Sequence, residues 1–480
     1  MFEDNAKVCL DEAGRHGASY AEARFLSSRT RTATSDGSTF EVQNTSEATF
    51  GVRVLADGMW GFAAGTGITK QSCRKVAARA VRIARISAEM SMRKISLIDI
   101  PTVKGEYSSN FKKNPFEVEI DEINELLKNS VKLLRNESKR IKSALGSIFA
   151  FEEKKYIATS EGSSVFQRTI GCGPSLYGIA IVNGLPQRRS YPSSRGHNIS
   201  TRGYEAVEEA DLLGNSERIG KELLSLINSR GCPRGTTSLI IYGDLLSSHI
   251  HETVGHPTES DRAMDTEWDF AGSTFLTPEK RGSFSFASKI VNIVADATIP
   301  GGPGSYDFDD ELVSGKRVSL IKDGIFDGYQ TSRETAKELG IAESSGAMRA
   351  MTGVFLPLIR MTNINLEPGD WTANELVQDT RRGILATGAS LAIFDQRRRT
   401  FIFSGEIGWR IENGELKEVI KNPIYHGSST DIWQGCDAIA KDGWGGYGTS
   451  CGKGRPHQSM RVGHYSSQAR FKNMRVGEPA

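Results

Sequence analysis

The sequence predicts an α+β chain in two parts. Residues 1–230 form an N-terminal α/β region with mixed or antiparallel sheets, and 231–480 form a strand-rich C-terminal domain. Three observations lead there. Glycine occurs 50 times in 480 residues without a fixed period, which signals many turns and hence many strands. Runs of alternating polarity are punctuated by Asp-Gly and Asn-Gly pairs, the residues that tight hairpins require. Helical stretches rich in Ala, Lys, Arg and Leu interrupt these runs irregularly, as in α+β rather than strictly alternating chains.

The elements follow in order. Residues 1 to about 20 read as an amphipathic helix. AEARFLSSRTRTATSDGSTFEVQ reads as a strand pair turned at Asp36-Gly37, and TFGVRVLADGMWGFAAG as a second hairpin turned at Asp57-Gly58. Residues 70–90 read as a helix whose basic residues form a solvated face. The polar stretch near 92–115, with Pro101 and Pro115, reads as a linker that divides the N-terminal region into two subregions. A charged helix covers about 119–140, strands cover 145–192, and another helix spans about 203–229. GCPRGTTSLIIYGD at 231–244 marks the main boundary. Beyond it come a helix near 245–256, Gly- and Pro-rich connections, and short strands turned at KDG and ENG.

Composition narrows the function. Net charge is +2, so no global field draws the chain to nucleic acid or an acidic membrane. Hydrophobic residues at 38% and charged residues at 25% are those of an ordinary globular protein. No apolar run approaches the roughly 18 residues of a membrane span. The acidic start, MFEDNAKVCLDEAG, lacks the apolar core of a secretory signal. The six cysteines, at 9, 73, 172, 232, 436 and 451, are scattered and contain no C-x-x-C pair, so reduced thiols in the cytoplasm are expected.

The informative segment is His251-Glu252-Thr253-Val254-Gly255-His256. It has one residue more than the zinc-protease pattern H-E-x-x-H. Histidines at i and i+4 lie roughly 40° apart around a helix and can face one metal. At i and i+5 the offset is about 140°, which a straight α-helix cannot reconcile. Either the helix ends inside the motif, for which Gly255 and Pro257 offer a reason, or it carries an extra-residue bulge. Glu252 supplies the carboxylate that a metal-bound water needs as general base. His249 is either a competing ligand or a hydrogen-bonded bystander.

HETVGHPTE is similar to the H-E-x-x-x-H segment of the TldD/TldE (PmbA) family, of its TldD-type catalytic subunits in particular. The resemblance continues through GGPGSYDFDDEL at 301–312 and RMTNINLEPGD at 360–370, the latter preceded by Gly346, Arg349 and Pro357. It extends through FSGEIGWRIENGE at 403–415, TSCGKGRPHQSMRVG at 449–463 and, in the first half, the ATSEGS turn at 158–163. It implies a metallopeptidase whose Zn2+ is held by His251, His256 and Cys451, with Glu252 as general base. Two imidazoles and a thiolate leave a fourth position open, as catalytic zinc requires. Cys451 reads as lying in a Gly-flanked turn, and Lys453 is a candidate for lowering its thiol pKa. The family further implies unstructured peptide substrates, bound by strand addition in a cavity closed by a TldE-like paralogous subunit, or by a second copy of the chain where no such partner exists. The sequence departs from the pattern after Cys-Gly-Lys, where GRPHQ intervenes and makes His457 a stray candidate ligand. The competing readings are a non-enzymatic peptide-binding subunit of a TldD/TldE-like complex, and a structural zinc site closed by His457 or His249.

Other patterns carry less. Gly443–Gly448 matches G-x-G-x-x-G but lacks the strand–turn–helix setting, and Gly448–Gly452 matches G-x-S-x-G but no Asp and His follow in the order that α/β-hydrolases use. Asp307, Asp309, Asp310 and Glu311 read as a solvated turn. Trp433, Trp444 and Tyr447 read as core aromatics or groove lining. Arg349 and Arg360 read either as ion-pair partners within the fold or as contacts to a peptide.

Overall fold

The computed structural model describes residues 2–182, 184–266 and 272–478. Met1, at the start of the expected first helix, and Asn183, in the SLYGIAIVNG run, lie outside them. The architecture is α+β.

The N-terminal half is built on one seven-stranded sheet. Its order is Met59–Gly65, Phe40–Ala56, Tyr20–Ser35, Ile141–Thr159, Ser164–Val182 and Lys104–Ser108, with Leu185–Tyr191 also on Ser164–Val182. The long strands pair antiparallel because hairpin turns join them. Asp57 and Gly58 take φ of 53° and 83°, the left-handed pair that a two-residue hairpin demands. Helices Phe2–Arg15 and Lys70–Met90 cover one end of this sheet through Cys9, Ala13, Ala77, Ala80 and Ala84. Small residues let the second helix approach closely. A Cβ on Gly61 would sit 2.0 Å from the Ala80 carbonyl oxygen. Helices Ile120–Asn136 and Leu212–Asn228 cover the other end through Leu127, Val131, Leu134, Ile219 and Leu223.

Two N-terminal elements differ from expectation. The 92–115 stretch contains strand Lys104–Ser108, which pairs parallel with Ser164–Arg168; backbone pairing at an open edge overrides its polar composition. The helix expected at 203–229 is two helices, Glu205–Ala210 and Leu212–Asn228. They part at Asp211, whose φ of 44° ends one and whose side chain caps the next by accepting from Gly214 N–H.

The C-terminal half holds a six-stranded and an eight-stranded sheet. Helix Gly243–Ile250 leaves strand Gly235–Ile241 and packs between the sheets. Leu245, Leu246, Ile250 and Val254 meet Phe403 and Phe471 from one sheet and Ile364 and Val462 from the other. The motif therefore begins on a helix fixed on both sides.

The halves are joined by buried charge. Asp309, Asp310 and Glu311, expected in a solvated turn, are each 1% exposed. Asp310 pairs with Lys155 at 2.8 Å and Arg24 at 3.3 Å, and Glu311 with Arg53 at 2.8 Å. Asp309 accepts from the backbone N–H of Glu311, Val313 and Met348. The cations come from distant N-terminal strands, which local composition cannot report. Arg349 and Arg360 are also buried, and they donate to backbone carbonyls of this chain: Met361 and Arg461 for the first, Cys451 and Gln458 for the second. Trp433 is fully buried and donates to Thr253 Oγ1 at 2.9 Å.

Candidate metal centre

Helix Gly243–Ile250 does not stop at the motif. It widens into a π turn over His251–Gly255, then tightens into a 3-10 turn over His256–Thr258. The His256 N–H bonds back to His251 O, an i→i+5 closure. That closure takes one more residue into the turn, so His251 and His256 stack on one face. Of the two backbone solutions open to the sequence, the bulge is the one adopted. Gly255 permits it, since a Cβ there would lie 2.2 Å from Met361 Sδ.

Cys451 comes from strand Gly445–Lys453, opposite Met460, and not from a turn; the turn is Gly454–His457, the inserted stretch. The imidazole centroids of His251 and His256 are 4.8 Å apart and nearly perpendicular. The nearest donor atoms of His251, His256 and Cys451 all lie within 4.8 Å of one another, and the three side chains are buried.

Their hydrogen bonds orient the lone pairs. His464 Nδ1 faces the Ile364 carbonyl at 3.2 Å and so carries the proton. Its Nε2 must then accept from His251 Nδ1, 2.8 Å away. This leaves His251 Nε2 with a free lone pair. His256 Nδ1 lies 2.9 Å from Glu259 Oε2 and donates to it, leaving Nε2 directed at Cys451 Sγ, 3.5 Å distant. Arg262 and Lys453 hold Glu259 in turn, at 2.8 and 3.3 Å. Such outer partners fix tautomer and ring orientation in metal sites.

Electrostatics suits the same purpose. Burial lowers both His251 and His256 to about 4, so both imidazoles are neutral at neutral pH, the form that can bind a metal. Burial pushes the Cys451 thiol up, but His256 and Arg360 outweigh it and the net shift is downward. Lys453 is not among the main causes of that shift. It is turned away to Asp261 at 2.6 Å and to the Ile359 carbonyl at 2.9 Å. The donor set fits zinc. Bond lengths to N and S around a tetrahedral ion place those atoms ~3.6 Å apart, and Cys451 Sγ and His256 Nε2 are 3.5 Å apart. Among the described residues the group closes at three.

Glu252 lines the same cavity, of about 180 Å³, with Arg195, Ser247, Phe394, Arg398, Tyr447 and His464. Its carboxylate is ion-paired with Arg398 Nη1. His249 is elsewhere, fully buried against Phe401, Phe403, Tyr425 and Trp433, and outside the donor group. His457 is exposed at the hairpin turn and also outside it. The G-x-G-x-x-G and G-x-S-x-G patterns run along strand Gly445–Lys453 and open no helix. Sequence reasoning missed His464, Glu259, Arg262, Arg195 and Arg398. Only Glu259 had a local signal, since it lies three residues after His256.

Fold and site together define an α+β protein with a buried His–His–Cys donor cluster beside a carboxylate. Three family models match the chain: PmbA/TldA metallopeptidase domain 1 over 21–84, the central domain over 113–226 and the C-terminal domain over 234–478. The chain belongs to the PmbA/TldD metallopeptidase family. It is 32% identical to a metalloprotease of Methanocaldococcus jannaschii, over 92% of this chain and 94% of that one. It is 26% identical to a zinc metalloprotease TldD homologue of Saccharolobus solfataricus, over 54% and 55% of the two chains. The crystal structure of TldE from Thermococcus kodakarensis superposes with a TM-score of 0.74 at 17% identity, covering 99% of this chain and 100% of that one. Among the described residues, no helix is long and apolar enough to cross a membrane.

Proposed function

We propose that this chain is a zinc-dependent peptidase of the TldD type that hydrolyses unstructured peptides. His251, His256 and Cys451 hold the metal, and Glu252 is the general base. The observation that carries the reading is the π turn, which stacks the two histidines opposite Cys451 and leaves Glu252 in the same cavity. Zinc, when bound, supplies a Lewis acid for the scissile carbonyl and acidifies a water. Glu252 accepts the proton of the attacking water and returns it to the leaving nitrogen as the C–N bond breaks. Arg398 holds the Glu252 carboxylate in place until then. Residues 1–230 and 231–480 act as two units, the second carrying all the donors. The partner is a TldE-like paralogue or a second copy of this chain.

Metal content per chain tests the ligand set. About one zinc in the wild type and a clear loss in Cys451→Ser are expected; no zinc after reconstitution would refute it. Glu252→Gln should keep zinc and lose cleavage of peptides, while unchanged cleavage would remove Glu252 from its role.

A further inference from the structure

The cavity beside the donor cluster carries two arginines whose hydrogen-bonding capacity the fold leaves incomplete. Arg398 sits between the strands Arg382–Phe394 and Thr400–Glu412. It is 8% exposed, its guanidinium lies 3.6 Å from the Phe394 ring centroid, and one terminal nitrogen holds Glu252. Its Nε has no partner among the described residues, a costly condition for a buried cation. Its backbone φ is 61°, a left-handed value that is unfavourable for a non-glycine residue. The Ser429 hydroxyl, donating to Arg398 O at 2.7 Å, helps to hold it there.

Arg195 comes from the other half of the chain. Its segment is pinned over the cavity by Ser194 N–H donating to Asp244 Oδ2 at 2.5 Å, and by Gly448 N–H donating to Asn198 Oδ1 at 2.8 Å. The Asp244 carboxylate is engaged further by Ser194 Oγ and Gly388 N–H. The Arg195 guanidinium is exposed at the mouth, with no ion pair or side-chain hydrogen bond among the described residues. It lines the cavity together with His251 and His464.

We propose that this cavity is a carboxylate-recognition site, in which Arg195 at the mouth and Arg398 inside bind a carboxylate of the peptide substrate. The inference rests on the peptidase reading and narrows its substrates to peptides that present a carboxylate beside the scissile bond. Guanidinium and carboxylate match as planar, charge-assisted partners. A neutral amide in the same place leaves the two arginines short of acceptors. The incoming carboxylate takes the place of Glu252 on Arg398, which stays protonated and paired throughout. No covalent bond changes in this exchange, and Glu252 is freed to receive the proton of the attacking water. Arg398 is thus a specificity and positioning group, and the buried cation is never left alone.

The carboxylate is either the peptide C-terminus or an Asp or Glu side chain. Three versions of one peptide separate the sources: free acid, C-terminal amide, and C-terminal amide ending in Asp. With the zinc-loaded full chain, the free acid should show a KM at least about tenfold below the plain amide, the scale of discrimination when site donors go unpaired. Recovery by the Asp-amide would assign the side chain, and no recovery the C-terminus. Arg195→Gln should shrink the acid-over-amide ratio to within about twofold, again as lost pairing; because Arg195 is exposed, this variant tests recognition without a folding defect. Binding is read separately on zinc-loaded Glu252→Gln, where Arg398 is free of its partner. N-acetylglycine should bind more tightly than N-acetylglycinamide by calorimetry, and adding Arg195→Gln or Arg398→Gln should erase the difference while zinc content stays constant. Equal binding of acid and amide, or a preference that survives both arginine changes, overturns the inference. Loss of all cleavage with carboxylate preference intact would instead overturn the peptidase reading alone.

Discussion

Replacing His464 with leucine tests whether the histidine relay sets zinc affinity. In the native chain His464 accepts from His251 Nδ1 at 2.8 Å and faces the Ile364 carbonyl at 3.2 Å. Leucine fills the space but offers no acceptor. His251 then has two options. It keeps the proton on Nδ1, and a buried N–H is left unpaired, or it moves the proton to Nε2 and loses the lone pair aimed at the metal. An unpaired buried donor costs ~1–3 kcal/mol. At about 1.4 kcal/mol per tenfold, that is roughly 5- to 150-fold in zinc dissociation constant. The range overlaps the ~10–100-fold typical of outer-partner substitutions at metal sites. His464→Gln, whose amide oxygen can accept the same bond, should stay within about threefold of wild type, since the donor is again paired. Competition against a chromogenic zinc chelator measures the affinities, and the cobalt(II)–thiolate absorption of the reloaded protein reports that Cys451 still binds. A leucine variant within about twofold of wild type, or a glutamine variant as weak as the leucine one, would show that the relay does not set the tautomer.

Three further outcomes follow from the same geometry. Lys453→Met leaves Glu259 and Asp261, both buried, short of a cation; it should cost about 3–5 kcal/mol in urea unfolding, and a loss under ~1 kcal/mol would contradict the pairing. Gly448→Ala places a Cβ 1.8 Å from the Ile199 carbonyl oxygen, so the segment carrying Arg195 must move; a loss of about 1–3 kcal/mol and a lower Tm are expected. His249, held by burial at about 3 against an ordinary 6.5, stays neutral in the folded chain while the unfolded chain takes up a proton. Stability must therefore fall as pH drops below 6.5, by about 2 kcal/mol from this residue at pH 5. His249→Phe should flatten the slope between pH 7 and pH 5, and an unchanged slope would place the acid sensitivity elsewhere.

Legibility in this sequence tracks locality. The helix Lys70–Met90 and the Asp57-Gly58 hairpin were readable because their signals lie within the elements themselves. The proximity of His251, His256 and Cys451 was within reach of the sequence because the histidines share one short motif and Cys451 lies in a segment with a recognisable family pattern. Asp309, Asp310 and Glu311 were misread, while Asp307 is exposed as expected, because Asp310 and Glu311 are buried against Arg24, Arg53 and Lys155, between about 150 and 290 positions upstream. His464, Arg195 and Arg398 belong to no motif. Each reaches the cavity from a different strand or loop, and only tertiary structure gives them a common address.

The same reasoning explains the extra residue between the histidines. A π turn advances fewer degrees per residue than an α turn, so residues next to a given position stay nearer its face. Inserting one residue therefore realigns His256 with His251 and also keeps Glu252, the immediate neighbour of His251, on the cavity side. In a regular α-helix with the four-residue spacing, the carboxylate would swing about 100° from the first histidine. The wider turn gives up regular i→i−4 bonding and needs Gly255 against Met361. In return it brings the two imidazoles and the Glu252 carboxylate to one small cavity, which Arg195 and Arg398 also line. On the proposed reading the five-residue spacing is a second solution to the requirement that H-E-x-x-H meets, with a carboxylate that carries its own counter-charge. Arg398 is that counter-charge.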